Sequence, residues 1–457
     1  MTAGRKARSL SLPPHIRQAL ADYARGPIVL ISAILLLLII SAYGTFGEWK
    51  REQILALSLG MTGGMLVSNG FGQAMARRGS IFLSLKDSAA ASRFLRLSAT
   101  VAGTCVAVIA IMVLLIMTYV GAFNSEVRLT FGLAFVALAV IWFVAAGLSL
   151  LQATGWLLIG LAAGLMAGVI TDRVTVLFSE AHLVLGTIAG FTLALGLMLK
   201  AMNRGLNVKS NGSPGKIVLP PVAFLVYEAA PYFVYGLLYM IFILVPHALG
   251  WYGMRAEQQA GIWVMTSVEL GLVLSFFPLT FAGGAAEHAF RLVWLQAGDA
   301  QKVTSGAESD RFGIILLKSY QRQLRHYLAI LFGCNLVAFL LFRASVSSGL
   351  LSILMPLYDL NAVEFIFEVS LVAYWLVGWG AFNCMFCVNL ARPGMALRAV
   401  AWGMSVLFIV GIPLSVGINF TLVAVAFVIG AAAFAAASAR TMRRLLQSAD
   451  YFYFASL

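Results

Sequence analysis

The sequence predicts an all-α polytopic membrane protein with twelve transmembrane helices in two six-helix bundles. Hydrophobic residues make up 61% of the 457-residue chain and charged residues only 11%. Soluble domains contain about 25% charged residues, so a soluble enzyme is excluded as the main body of the protein. Twelve apolar stretches also approach the length of about 20 residues that a spanning helix requires. These spans cover 27–45, 54–75, 97–120, 130–151, 156–171, 183–199, 232–250, 262–282, 328–342, 363–388, 396–416 and 420–439.

The distribution of basic residues supports twelve spans and predicts their orientation. With an even number of spans, both termini and every second loop lie on one side of the membrane. Only six of the 31 lysines and arginines fall on the other side: Lys50, Arg51, Arg128, Arg173, Arg255 and Arg343. Cytoplasmic loops are enriched in Lys and Arg, so the remaining 25 place both termini in the cytoplasm. We therefore expect a multi-pass protein of the bacterial inner membrane with no nucleic-acid partner.

The two halves of the chain share a plan, which predicts an internal repeat. Pro27 and Pro231 open the first span of each half, and a long basic loop follows each second span. Halves of six spans have the same orientation, so a pseudo-two-fold axis along the membrane normal would relate them. The predicted division is a cytoplasmic arm (1–26), an N-terminal bundle (27–202), a cytoplasmic linker with an interfacial segment (203–231), a C-terminal bundle (232–439) and a cytoplasmic tail (440–457). Pro220, Pro221 and Pro231 favour a separate interfacial helix before span 7.

The loop between spans 8 and 9, residues 283–327, is the longest predicted extramembrane segment. In its second part, 312–327, apolar residues alternate with Lys318, Arg322 and Arg325, which is typical of a surface helix that continues into span 9. Residues 285–297 fit a similar helix. We interpret Lys318, Arg322 and Arg325 as a basic surface for anionic lipid or for an acidic partner protein.

The sequence contains none of the motifs we associate with ATP hydrolysis or hydrolytic catalysis. It has no phosphate-binding Gly-Lys motif, no His-Glu-x-x-His pair and no Gly-x-Ser-x-Gly elbow. Cys384 and Cys387 have the spacing of metal or redox sites, but no second pair of Cys or His lies nearby, so we interpret them as small apolar residues. The five histidines form no local cluster. We therefore predict a protein that is not an enzyme and that binds no metal or cofactor.

Polar residues within the spans are candidates for a transport pathway, because a carboxylate in a bilayer is costly unless it faces a partner or a wet cavity. Glu269 lies seven residues into the predicted span 8. It fits there either as a pathway residue or as a hydrogen-bonded structural carboxyl. Glu364 and Glu368 share one face of span 10, as pathway residues or as solvated helix ends. The other candidates are Glu228 just before span 7, Asn335 in span 9 and Asn383 in span 10.

Short strings in the sequence resemble one known family. They are Arg-Gly-Pro-Ile-Val-Leu at 25–30, Leu-Ala-Leu-Ser-Leu at 55–59, Ile-Trp at 141–142, Pro-Tyr-Phe-Val-Tyr-Gly at 231–236 and Glu-Leu-Gly-Leu at 269–272. Together with the span pattern, they resemble the Pel exopolysaccharide transporter (PelG) family of the multidrug/oligosaccharide-lipid/polysaccharide (MOP) flippase superfamily. Two features depart from that family. The usual Gly-Ile-Gly-Phe-type opening is absent, and Pro246 and His247 replace an Asp-Arg or Asp-Lys pair late in span 7.

The resemblance implies a MATE-like fold and a role in biofilm polysaccharide export. The substrate would be an exopolysaccharide or its lipid-linked precursor, moved to the periplasm by alternating access or through a conduit between the bundles. The resemblance also implies partners, namely a cytoplasmic glycosyltransferase and small membrane subunits. Two alternatives stay open: an ion-coupled exporter of small cationic drugs, which shares the architecture, and a non-transporting scaffold that holds a polysaccharide synthase.

Overall fold

The computed structural model describes residues 51–84, 88–121, 123–151, 153, 155–178, 182–210, 221–254, 266–303, 309–354 and 359–448, and every regular element within these ranges is helical. The α-helices are α1 (Arg51–Ser84), α2 (Ser88–Tyr119), α3 (Ser125–Leu150), α4 (Gly155–Thr175), α5 (His182–Ser210), α6 (Val222–Gly253), α7 (Ser267–Val303), α8 (Ser309–Ser347), α9 (Leu350–Leu354), α10 (Leu360–Asn389), α11 (Pro393–Gly417) and α12 (Val423–Gln447). Ten helices in this part of the chain are long and apolar enough to cross a membrane.

The predicted all-helical membrane fold is confirmed. Spans 2 to 12 each correspond to one long helix, from α1 for span 2 to α12 for span 12, and only the five-residue α9 has no predicted counterpart. Span 1, at 27–45, lies outside the described residues. The side of the membrane that carries the basic loops is the predicted cytoplasmic side.

The separate interfacial helix predicted before span 7 is wrong for the residues that the structure describes. Helix α6 begins at Val222 and continues through Pro231 to Gly253, a length of 32 residues. Pro221 is the N-cap of this helix, where its missing N–H removes no intrahelical hydrogen bond. Pro231 removes one such bond from the helix interior. Residues 211–220, which include Pro220, lie outside the described part of the chain.

The long loop predicted between spans 8 and 9 is largely helical. Helix α7 contains 37 residues and α8 contains 39, which correspond to about 55 and 58 Å at 1.5 Å per residue. The hydrocarbon core of a bilayer is about 30 Å thick, so both helices extend well beyond it as an antiparallel hairpin. The helix expected at 312–327 does continue into span 9. Residues 285–297 are also helical, but as a continuation of α7.

Glycine allows close helix contacts within the N-terminal half. A Cβ atom at Gly164 of α4 would lie 2.6 Å from the carbonyl oxygen of Gly190 in α5, and one at Gly186 would lie 2.9 Å from that of Gly168. Small residues at such crossings let helix backbones approach closely in a membrane. Helices α4 and α5 therefore form a tightly packed pair.

The C-terminal half is built around an aromatic core. Phe242 of α6 packs edge-on against Phe434 of α12 with ring centroids 5.4 Å apart. Tyr374 of α10 packs edge-on against Phe427 of α12 at 5.0 Å. All four side chains are essentially inaccessible to solvent. This core holds α10 and α12 together and gives α6 a fixed place at its edge.

Candidate functional site

The two halves of the chain meet principally where α1 crosses α6, as far as the described residues show. The Asn69 side-chain amide donates a hydrogen bond to the Gly236 carbonyl oxygen at 2.7 Å. Phe71 packs edge-on against Phe233 with ring centroids 4.8 Å apart. A Cβ atom at Gly236 would lie 2.8 Å from the Asn69 carbonyl oxygen and 3.1 Å from the Gly70 Cα. The backbones therefore approach as closely as glycine allows.

This crossing, which we call the α1–α6 crossing, lies toward the predicted cytoplasmic side. Asn69 is eight residues before Arg77, the first of the basic residues near the predicted cytoplasmic end of α1, a distance of about 12 Å along the helix. The two helices run in opposite directions, so the level of Gly236 on α6 matches that of Asn69 on α1. The same register places Glu228 of α6 level with Arg77, two turns nearer the cytoplasm. The contact thus closes the described interface on its predicted cytoplasmic side.

A histidine–carboxylate pair lies near the predicted periplasmic end of the C-terminal half. His247 Nδ1 of α6 is 2.8 Å from Glu269 Oε2 of α7. The His247 side chain is 10% exposed and that of Glu269 is 18% exposed. The second carboxylate oxygen, Glu269 Oε1, is buried and has no hydrogen-bond partner among the described residues. The pair therefore has one unused acceptor beside an imidazole that can carry a proton.

Glu269 lies nearer the membrane boundary than the sequence predicts. Span 8 was predicted to start at residue 262, but α7 begins at Ser267, so Glu269 lies in its first turn. Its backbone N–H donates to the Thr266 hydroxyl oxygen at 3.2 Å, which is one half of a capping box. In a complete box the glutamate side chain would return to the N-cap N–H. Here the carboxylate instead contacts His247, so capping does not determine its position.

Glu364 and Glu368 of α10 both form ion pairs with Arg343 of α8. Arg343 contacts Glu364 through one guanidinium nitrogen and lies 2.5 Å from Glu368 through the other. The two glutamates are 26% and 29% exposed and Arg343 is 45% exposed. Both glutamates are thus partly solvated residues near the start of α10, and Arg343 connects them to the end of α8.

The two candidate asparagines lie inside the C-terminal half. Asn383 is fully buried, accepts a hydrogen bond from the Tyr320 hydroxyl and donates one to the Ser438 hydroxyl at 3.1 Å. Asn335 donates to the Leu371 carbonyl oxygen at 3.3 Å. These contacts join α10 to α8 and α12. The structure therefore brings neither asparagine to the α1–α6 crossing, and of the six candidates only Glu228 lies on a helix of that crossing.

Sequence reasoning missed two histidines that pair with carboxylates. His247 was noted only as a departure from the resembling family, and its partner lies 22 residues away across a loop. His182 lies 2.6 Å from Asp172 in the N-terminal half, where Asp172 is 7% exposed. His247 lies inside an apolar span, where an ionisable side chain normally has a partner, and this is the sequence signal that could have found the pair.

The described residues contain no group of three or more His, Cys, Asp and Glu side chains that could hold a metal ion. Cys384 and Cys387 are buried and unbridged. The Cys384 thiol lies 4.0 Å from the Ala396 carbonyl oxygen.

No protein-family model matches the sequence, and no curated protein matches it. Similar solved structures include the MATE transporter VcmN of Vibrio cholerae in its bent form (TM-score 0.68, 14% identity, 96% of this chain and 98% of that chain covered). An outward-facing multidrug resistance transporter of the MATE family has a TM-score of 0.69 at 13% identity, with 95% and 96% covered. A MOP superfamily transporter from Pyrococcus furiosus has a TM-score of 0.66 at 13% identity, with 94% and 96% covered. This chain therefore has the fold of the MATE transporters of the MOP superfamily.

Proposed function

We propose that this protein is a secondary transporter of the bacterial inner membrane that exports an exopolysaccharide or its lipid-linked precursor by alternating access. The observation that carries the proposal is the α1–α6 crossing. Among the described residues, it is the principal contact between two separately packed halves, and it lies toward the predicted cytoplasmic side. Opening this contact while the opposite side closes would expose a path between the halves to each compartment in turn.

The polar groups at the crossing favour a saccharide over a cation. They are the amides of Asn69 and Gln73, next to the rings of Phe71 and Phe233. Amide groups both donate and accept hydrogen bonds, as sugar hydroxyls require, and aromatic rings offer apolar contact area. A cationic substrate needs an anionic group to offset the loss of its hydration. On α1 and α6, the carboxylate nearest to these groups is Glu228, which lies about two turns from the level of Asn69 and level with the cation Arg77.

Two carboxylates among the described residues of the N-terminal half already have partners. Glu126 accepts a hydrogen bond from the Gln53 side chain at 3.1 Å, and Asp172 contacts His182. Both carboxylates lie near a helix end. Because these carboxylates are already paired, the described part of the path suits an uncharged polar substrate. A partner such as a cytoplasmic glycosyltransferase would supply the polymer.

A small-cation exporter is the second candidate, and Glu269 favours it. Its Oε1 atom has no hydrogen-bond partner in the described structure and would be available to a cation. The Pyrococcus furiosus structure is described with a binding pocket of reversed polarity that suggests a different function. The fold thus accommodates pockets of different charge, and the substrate has to be tested directly.

Transport by purified protein in liposomes separates the candidates. One assay follows translocation of a fluorescently labelled lipid-linked oligosaccharide, and the other follows efflux of a cationic dye. We expect saccharide translocation without dye efflux. Dye efflux alone would support the second candidate, and neither activity in folded protein would favour the scaffold.

Two glycine variants test the α1–α6 crossing. Gly236→Ala places a methyl group against the α1 backbone and should reduce saccharide translocation at least tenfold. Gly103→Ala in α2 is the matched control, because no atom lies within 4 Å of its Cβ position. It should translocate like the unmodified protein. Equal activity of the two variants would contradict a role for close approach of α1 and α6.

A further inference from the structure

The outer face of α8 carries a basic stripe, defined by Lys318, Arg322 and Arg325. All three side chains are exposed. The opposite face of α8 is buried, with Phe312, Leu316, Tyr320 and Tyr327 each less than 10% exposed. The stripe therefore points away from the hairpin and from the core of the C-terminal half.

The basic stripe is continuous with a lipid-facing apolar surface on the same helix. Phe332 is 61% exposed, Leu336 47% and Leu340 56%. At 3.6 residues per turn, these side chains and the three basic ones lie within about 40° of one line along the helix. One face of α8 is thus apolar where it meets lipid tails and basic at the predicted cytoplasmic end of the helix.

The position of Arg343 gives the depth of the stripe. Arg343 lies at the predicted periplasmic end of α8 and pairs with two glutamates there. Arg325 precedes it by 18 residues, or about 27 Å, which is close to the 30 Å thickness of a hydrocarbon core. Arg322 lies about 5 Å beyond Arg325 and Lys318 about 10 Å beyond it. Since a headgroup layer is about 5 to 8 Å thick, Arg325 lies at its inner boundary, Arg322 lies within it and Lys318 lies at its outer edge.

Local charge does not neutralise the stripe. Residues 311–342 contain no aspartate or glutamate. The neighbouring hairpin helix differs, because its charges are mixed, and Lys302 pairs with Asp299 at 2.9 Å. Within the part of the chain that the structure describes, the stripe is therefore a row of cations at headgroup depth without an ion-pair partner.

We propose that the basic stripe binds the headgroups of anionic phospholipids in the leaflet on the predicted cytoplasmic side. Each arginine within the headgroup layer attracts the lipid phosphate both by charge and by hydrogen bonds from its guanidinium group. An acidic partner protein would also match the charge. Lipid is favoured because the stripe continues the lipid-facing surface without a break and reaches only to headgroup depth.

A lipid-composition measurement at the stripe tests this proposal. Full-length protein carrying a fluorophore at Ala329→Cys, with the four native cysteines replaced, is placed in nanodiscs without any other protein. Quenching by spin-labelled phosphatidylglycerol is compared with quenching by spin-labelled phosphatidylcholine. We expect a preference for phosphatidylglycerol that falls about fivefold for each arginine neutralised, in Arg322→Gln and Arg325→Gln. Lys318→Gln should have a smaller effect.

Two controls keep the result interpretable. Lys302→Gln with Arg311→Gln removes the same charge near the hairpin tip, about 20 Å or more beyond Arg325 along the helices, and should leave the preference unchanged. Arg322→Lys with Arg325→Lys retains the charge and should retain most of the preference. An unchanged preference in the double glutamine variant, or an equal loss in the tip variant, would overturn the proposal.

Discussion

The two halves each contain a histidine–carboxylate pair near the predicted periplasmic side, and the pairs differ in their surroundings. Asp172 and His182 join α4 and α5, where Asp172 lies beside the glycine contacts: a Cβ atom at Gly186 would lie 3.0 Å from the Asp172 Cβ. His247 and Glu269 join α6 and α7, and there one carboxylate oxygen has no partner in the described structure. We infer that the first pair holds two helices together, whereas the second is available to exchange a proton or bind a substrate group.

Glu269→Gln should give the largest effect on transport. Glutamine keeps the shape of the side chain and the backbone N–H that Thr266 accepts from, but it cannot ionise. We expect translocation in liposomes to fall more than tenfold while expression and thermal unfolding stay within a few degrees of the unmodified protein. Near-normal translocation would show that the His247–Glu269 pair is structural, like its counterpart in the other half.

Asp172→Ala should act on stability instead. It removes the buried partner of the partly exposed His182 and leaves that ring nitrogen without its hydrogen bond, which we expect to lower the free energy of unfolding by about 1 kcal/mol. Translocation per folded molecule should change less than twofold. The measurement is denaturant unfolding in detergent, with transport normalised to folded protein. A folded Asp172→Ala protein without transport would remove the distinction between the pairs.

A charge exchange at the α1–α6 crossing should give a smaller, reversible effect. The antiparallel register places Arg77 level with Glu228, so we expect opposite charges there to hold the predicted cytoplasmic side closed. Arg77→Glu alone should reduce translocation about threefold to tenfold, and adding Glu228→Arg should restore most of it. A double variant no better than the single one would show that these two side chains do not act together.

The sequence predicts the helices well within the membrane, where lipid contact requires apolar side chains. It predicts their extensions outside the membrane less well. Spans 2 to 12 could be predicted because lipid-facing side chains must be apolar over the full membrane thickness. The extensions of α6, α7 and α8 could not, because outside the lipid a helix no longer needs a continuous apolar surface. Pro231 indicated a helix boundary, but the structure accommodates it within α6.

The site could be predicted only in part, because its contacts join distant positions. Glu269 stood out as a carboxylate in an apolar segment, but His247 lies on another helix. Glu364 and Glu368 could be placed on one face from their spacing, whereas Arg343 as their shared partner could not. Asn383 was recognised as an embedded polar residue, and only the structure shows its bonds to Tyr320 and Ser438.

The distance between the halves during transport tests the central claim most directly. Spin labels at Arg96→Cys in α2 and Arg443→Cys in α12, both exposed and on the predicted cytoplasmic side, report on the opening of the α1–α6 crossing by electron–electron resonance. A second pair, at Arg398→Cys and Arg443→Cys, lies within the C-terminal half and serves as the control. We predict that adding the transported saccharide produces a second, longer distance for the first pair and none for the control. A single unchanged distance between the halves in protein that is actively transporting would contradict alternating access.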